Sequence, residues 1–143
     1  MSEMLKISEA ANLAMHGMVL LAARDGKAVS TREMAQLMHV SEAHLSKVMQ
    51  RLAKEGFVNS VRGPNGGFSL GYPAEDITLL EVYEAVEGPL ESKRCLLGVQ
   101  LCDGKQCVLG NLMSRADALI REELAKSRLS EAAGSLKKLL RKK

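Results

Sequence analysis

Tryptophan is absent, and aromatic residues make up only 3% of a chain in which 46% of residues are hydrophobic. A core must therefore be built from Leu, Val, Met and Ala, a set that favours helix packed on helix over a β-sandwich. Long apolar runs are also missing. The longest, Met18-Val19-Leu20-Leu21-Ala22-Ala23, falls far short of the roughly 20 residues needed to span a bilayer, so no membrane is expected. Glu3, Lys6 and Glu9 interrupt the first residues and no cleavage pattern follows, so we expect no signal peptide and a cytoplasmic protein. There are three cysteines, an odd number, all between Cys95 and Cys107. In the cytosol, such crowding points to metal or redox chemistry rather than to a disulfide framework. Nothing resembles a catalytic site: no nucleophile and base stand at motif spacing, and no glycine loop precedes a helix to cradle phosphate. The expectation is a protein that is not an enzyme.

The 143 residues suffice for one compact domain and an appendage. Their net charge of +3 is unevenly spread, with balances of +2 over 1–72, −5 over 73–104 and +6 over 105–143. A basic front and end around an acidic middle fit a nucleic-acid binder, and also fit ordinary solvated charge.

Residues 8–24 carry Leu13, Gly17, Leu20, Leu21 and Arg24 at helical spacing. Ser30-Thr31-Arg32-Glu33 is a capping box that predicts a second helix, carrying Met34, Ala35, Leu37 and Met38 inward as far as His39-Val40. Ser41 caps a third helix, which Gly56 ends. Two helices on so short a link make a helix-turn-helix candidate. The period then shortens. Residues 57–62 alternate, Gly63-Pro64-Asn65-Gly66-Gly67 turns, and 68–72 returns, as in a hairpin. Thr78-Leu79-Leu80-Glu81 opens a helix that Gly88-Pro89 terminates. Residues 90–104 have no period. A long helix follows, with Val108, Leu109, Leu112, Met113, Ala116, Leu119, Ile120 and Leu124 on one stripe, which must be buried on the domain or on a partner. The basic end of the chain reads as a frayed tail. Three segments follow: a winged helix-turn-helix at 1–89, a cysteine-bearing loop at 90–104, and a dimerisation helix with its tail at 105–143.

On a helical wheel Leu45, Val48, Met49 and Leu52 lie within about 60° of the core direction. Ala43, Lys47, Gln50 and Lys54 point almost opposite, with Ser46 on one flank and His44 and Arg51 on the other. Such a face suits a major groove: Lys can donate to guanine, Gln can pair with adenine, and Ser and Arg can hold phosphate. In the hairpin turn, Arg62, Gly63, Asn65 and Gly66 combine one cation with little bulk, so backbone amides can approach phosphates or a narrow minor groove. A helix-turn-helix followed directly by such a wing is far more specific than either part.

These motifs resemble the Rrf-type family of bacterial winged-helix regulators, which includes an iron–sulfur cluster regulator and a nitric-oxide-sensing repressor. The likeness rests on Leu13-Ala14-Met15-His16, on Met34-Ala35 through Leu52, and on the wing from Val61 to Leu70. It continues through Ile77-Thr78-Leu79-Leu80-Glu81-Val82 and Ala85-Val86-Glu87-Gly88-Pro89 to the cysteines and the long helix. The implied fold is mainly α: a winged helix-turn-helix with a two-stranded wing and a long C-terminal dimerisation helix. The implied partner is double-stranded DNA with a palindromic operator, bound by a homodimer. By position, Ala43, Ser46 and Lys47 take base-reading places, Ser41 and His44 flank them, and Arg62 lies in or near the minor groove.

Cys95, Cys102 and Cys107 supply soft thiolates, the ligands that iron–sulfur clusters need. The resemblance implies a [2Fe–2S] or [4Fe–4S] cluster whose state alters DNA affinity. The sequence departs from the family in the spacing of its cysteines, which is not the even one common there, and at two positions. Gly110 stands where some members place a histidine, and Asn12 stands where another branch takes an acidic ligand from the partner. His16, Asp103, Glu9 or an exogenous group remain as the fourth ligand. A thiol redox switch without a cluster and a zinc site are the alternatives at the loop. A small iron–sulfur carrier and a co-repressor-like interaction module are the alternatives for the whole chain.

Overall fold

The computed structural model describes residues 7–90, 99, 101–103 and 105–141. Helix α1 (Glu9–Ala23) is buried on nearly every side, as expected of a central helix with Ala, Met and Leu all round it. It packs against the last helix, the fourth and the third. Gly17 leaves room for two methionines of the helix-turn-helix, since a Cβ there would lie 3.3 Å from the Met49 Sδ and 3.4 Å from the Met34 Cε.

Ser30 caps α2 (Thr31–Met38) by accepting from the Glu33 amide at 3.1 Å. The reciprocal half of the expected capping box is replaced: the Glu33 carboxylate takes the Arg24 guanidinium at 2.8 Å, linking α2 to the end of α1. An ion pair across helices outcompetes a bond to a backbone amide that water can satisfy. His39, left-handed at φ 55°, ends α2. Ser41 then caps α3 (Glu42–Lys54), and Gly56 at φ 83° turns the chain into the wing.

Strands β1 (Val58–Val61) and β2 (Gly67–Leu70) pair antiparallel with Val58 opposite Leu70 and Val61 opposite Gly67. Val29 adds a bridge to Phe68, anchoring the wing beside the α2 cap. A 3-10 turn (Ala74–Asp76) leads to α4 (Leu79–Glu87), where the Thr78–Glu81 capping box forms in full.

Helix α5 (Val108–Lys126) packs on α4. The chain end, read from the sequence as a frayed tail, is instead α6 (Leu129–Arg141). It packs more extensively on α1 than any other element does, with Leu129 and Ala133 fully buried and Leu136 and Leu140 packed on the same core. Its start is clipped to the head of α4: the Leu129 amide donates to the Ile77 carbonyl and the Leu79 amide to the Ser127 carbonyl, both at 2.9 Å. Leucine and alanine at four-, three- and four-residue spacing over 129–140 carried this signal, masked by the surrounding lysines. Among the described residues no helix is long and apolar enough to cross a membrane.

Candidate nucleic-acid interface and cysteine loop

Helix α3 divides as its wheel predicts. Leu45, Val48, Met49 and Leu52 are buried, whereas Ala43, Lys47, Gln50, Arg51 and Lys54 are exposed. Burying one face fixes the rotation of the helix and so dictates which side chains meet an approaching groove. Gln50 donates from Nε2 to the Ser46 hydroxyl at 3.2 Å, one turn earlier, which orders two polar groups at adjacent positions of the face. Ser41 accepts the His44 amide with one lone pair as N-cap and keeps its O–H for donation. His44 is only half-exposed and turns toward α1, its Nδ1 lying 3.5 Å from the Glu9 carboxylate.

At the wing tip Arg62, Gly63, Pro64 and Asn65 are all exposed. Gly63 and Gly66 have different roles. Gly63 takes φ 113° and has open space where a Cβ would be, while a Cβ on Gly66 would lie 2.3 Å from the Val61 carbonyl oxygen. Gly66 also donates its amide to the Gly63 carbonyl at 2.9 Å, closing the turn. The absence of a side chain at 66 is thus demanded by the wing itself.

Of the three cysteines, Cys95 lies outside the described residues. Cys102 is exposed and Cys107 half-buried at the doorstep of α5, with its carbonyl accepting from the Asn111 amide at 3.1 Å. Between them Asp103 accepts the Lys105 amide at 3.1 Å, a local turn. Among the described residues no group of three His, Cys, Asp or Glu side chains is arranged to hold a metal. The donors themselves, paired soft sulfurs in a short loop with a carboxylate between them, have the chemistry an iron–sulfur centre uses. On α1, Glu9 lies 3.5 Å from His44, and the His16 Nδ1 donates to the Asn12 carbonyl at 2.8 Å, a bond that orients the ring and leaves Nε2 as its ligating nitrogen.

Two features escaped sequence reading. Leu109, Leu112 and Leu119 of α5 stay more than half exposed, while Ile120 and Leu124 of the same stripe are partly covered. The stripe therefore divides between the domain and a bare edge. Arg121 of α5 donates to the Leu90 carbonyl at 2.6 Å and pairs with Glu84 at 3.7 Å, joining α5 to the end of α4. No local pattern announces a bond over that separation.

Comparison with known proteins agrees with this architecture. The model of the Rrf2 family, described as iron-dependent transcriptional regulator, matches residues 7–134. A Haemophilus influenzae protein provisionally named an HTH-type transcriptional regulator is 32% identical over 107 residues, covering 75% of this chain and 71% of its own. Among solved structures, CymR, the global cysteine regulator of B. subtilis, superimposes with a TM-score of 0.76 at 28% identity, over 92% of this chain and 98% of its own. T. potens IscR shares the fold alone, at 24% identity and a TM-score of 0.73, over 94% of this chain and 90% of its own. The two-stranded wing after a helix-turn-helix, the long α5 and the match across most of the chain lead to one conclusion: this protein belongs to the Rrf2 family of winged-helix transcription regulators.

Proposed function

We propose that the protein is a homodimeric, sequence-specific DNA-binding regulator in the cytoplasm, with residues 1–89 reading DNA, 90–104 sensing, and α5 within 105–143 dimerising, while α6 braces the winged domain. The observation that carries the reading is the α3 surface. Its apolar face is fully sequestered, and Ala43, Lys47 and Gln50 stand out beside an exposed, unbulky wing tip. In the proposed complex α3 enters the major groove, where Lys47 and Gln50 meet base edges. Ser41, His44, Ser46 and Arg51 border the contact, and Arg62, Gly63, Asn65 and Gly66 bring the wing to the adjacent backbone. The bare leucines of α5 support a two-fold dimer, and such a dimer demands a palindromic operator. Relatives that regulate transcription support a role other than catalysis.

At the loop, Cys95, Cys102 and Cys107 would hold an iron–sulfur cluster, a reading supported by the donor chemistry and by the family's description as iron-dependent. When bound, such a cluster supplies a centre whose charge and ligation respond to oxidant or nitric oxide. The protein's own part is to present the thiolates between α4 and α5, so that order in the loop bears on both helices. The likeness to a global cysteine regulator favours a second reading, a thiol-based regulator without a cluster.

Two measurements test these readings. In operator titrations across salt concentrations, Lys47→Ala should alter base preference at one position by about 1–3 kcal/mol. Arg62→Ala should weaken all sequences evenly and lower the salt slope by about 1. Both variants behaving as the parent would remove the assigned surface. The visible spectrum of anaerobically purified protein separates the two sensing readings. Charge-transfer bands lost in each single Cys→Ser variant support a cluster, and colourless, iron-free protein after reconstitution refutes it.

A further inference from the structure

Five polar contacts, none of them made by a loop sulfur, form a continuous series. Arg121 on α5 holds the carbonyl of Leu90, the first residue of the cysteine loop, and the carboxylate of Glu84 on α4. At the C-terminal end of the same α4, Glu87 accepts from the Ser8 hydroxyl. Ser8 is the N-cap of α1, its oxygen taking the Ala11 amide at 3.0 Å. The next residue, Glu9, lies 3.5 Å from the His44 ring on α3. The elements between these contacts are stiff: α4 is held by a full capping box at its head and by the Gly88 amide donating to the Glu84 carbonyl at 2.8 Å at its tail.

We propose that Arg121 is the positioning residue that transmits the state of the cysteine loop to the recognition helix, by way of the end of α4 and the first turn of α1. The inference rests on the sensing role assigned to the loop. Its physical basis is that one planar guanidinium both donates to the Leu90 carbonyl and forms an ion pair with Glu84, so α5, α4 and the start of the loop are held together while both contacts stand. Displacing Leu90 breaks the hydrogen bond and leaves the Arg121 side chain held by a half-exposed ion pair alone, which adds little to the packing of α5 on α4. The tail of α4 then shifts relative to α5. Through Ser8 and Glu9 that shift reaches His44, which flanks the base-reading positions of α3. A relay of this kind needs two arrangements that the loop biases, and spatial continuity alone does not supply them. The test therefore measures coupling.

A high-affinity duplex is first selected from random double-stranded DNA with the full-length protein. Its affinity is then measured for protein as purified, and for the same protein after chelator and iodoacetamide have removed any metal and alkylated the cysteines. The parent should change at least about 5-fold between the two states, the lower end of ordinary allosteric coupling. Arg121→Met keeps the aliphatic stem and removes both bonds. Before treatment it should bind the duplex as the treated parent does, at least about 5-fold from the untreated parent, and it should change less than about 2-fold on treatment. Arg121→Lys, which restores one donor, should recover part of the response, an outcome that a purely structural role would not give. Glu84→Gln provides the same reading should Arg121→Met not fold, and should lie between Arg121→Met and the parent. An undiminished response in Arg121→Met, or in Glu84→Gln where the former does not fold, overturns the relay and leaves sensing intact. A parent that binds the duplex and ignores the treatment overturns sensing, and the relay with it.

Discussion

Gly63 and Gly67 offer a controlled comparison within the wing. Both have positive φ, 113° and 147°, in the region that glycine alone populates freely, so an alanine at either meets a conformational cost of roughly 1–3 kcal/mol. Both substitutions regain about 0.4–1 kcal/mol by restricting the unfolded chain. They differ in what the new methyl meets. At Gly63 nothing lies within 4 Å, whereas at Gly67 the Cβ would sit 2.1 Å from the Val29 carbonyl oxygen and 2.7 Å from the Ser30 Cα. Those are backbone atoms and cannot turn aside. The wing must separate from Val29, breaking the Val29–Phe68 pair, in which each amide donates to the other's carbonyl at 2.9 Å. At about 1 kcal/mol net per bond, Gly67→Ala should cost about 2 kcal/mol more than Gly63→Ala. For 143 residues, at roughly 2.1 cal/mol/K each, that difference is about 7 °C in melting midpoint. Thermal and urea unfolding followed by far-UV circular dichroism, at one protein concentration because dimerisation shifts the midpoint, would measure it. Equal losses in the two variants would refute the steric argument. Ser30 also caps α2, so Gly67→Ala should weaken operator binding by disturbing the helix-turn-helix. Gly63→Ala leaves that cap untouched, and any affinity it loses reports close approach of the wing to DNA.

Two further outcomes are expected. Leu119 is 60% exposed in the single chain, so Leu119→Asp should leave the protomer folded. Placed across a two-fold axis, however, the unpaired charge should weaken the dimer by at least about 3 kcal/mol; sedimentation velocity would read this, and a variant as dimeric as the parent would exclude α5 as the interface. Asp25 accepts a hydrogen bond from the Lys137 ammonium of α6, which holds its carboxyl below the usual carboxylate range. A lowered folded-state value means that the stabilisation is present above the unfolded value of about 3.9 and fades as the pH falls through the folded one. The gap between parent and Asp25→Asn in urea unfolding should therefore be constant near neutrality and close in acid, and a gap unchanged to pH 3 would exclude this pair as its source.

Local chemistry decided most of the winged domain. Ser41, Thr78, Gly56 and Gly88 mark helix ends by capping and by backbone freedom, effects that act within four residues and are therefore legible in sequence. The exposed face of α3 was legible for the same reason: one buried stripe fixes the rotation, and the opposite residues follow from a period of 3.6. Competition between distant groups was not legible. Glu33 satisfies the local rule for a capping box yet pairs with Arg24, because another helix delivers a guanidinium within 2.8 Å. The lysines of 137–143 suggested a solvated tail, whereas Leu129 and Ala133 fill a gap beside α1 that exists only once the other helices have assembled. Likewise the α5 stripe was apparent, but its division into a half that packs on α4 and a half left bare depends on where α4 ends. Sequence by itself thus determined which segments of the winged domain are helices, where they stop and which face each must hide, but not that the basic chain end is helical. Tertiary structure decided which partner hides it, because burial and ion pairing depend on distances that the chain sets only after it has folded.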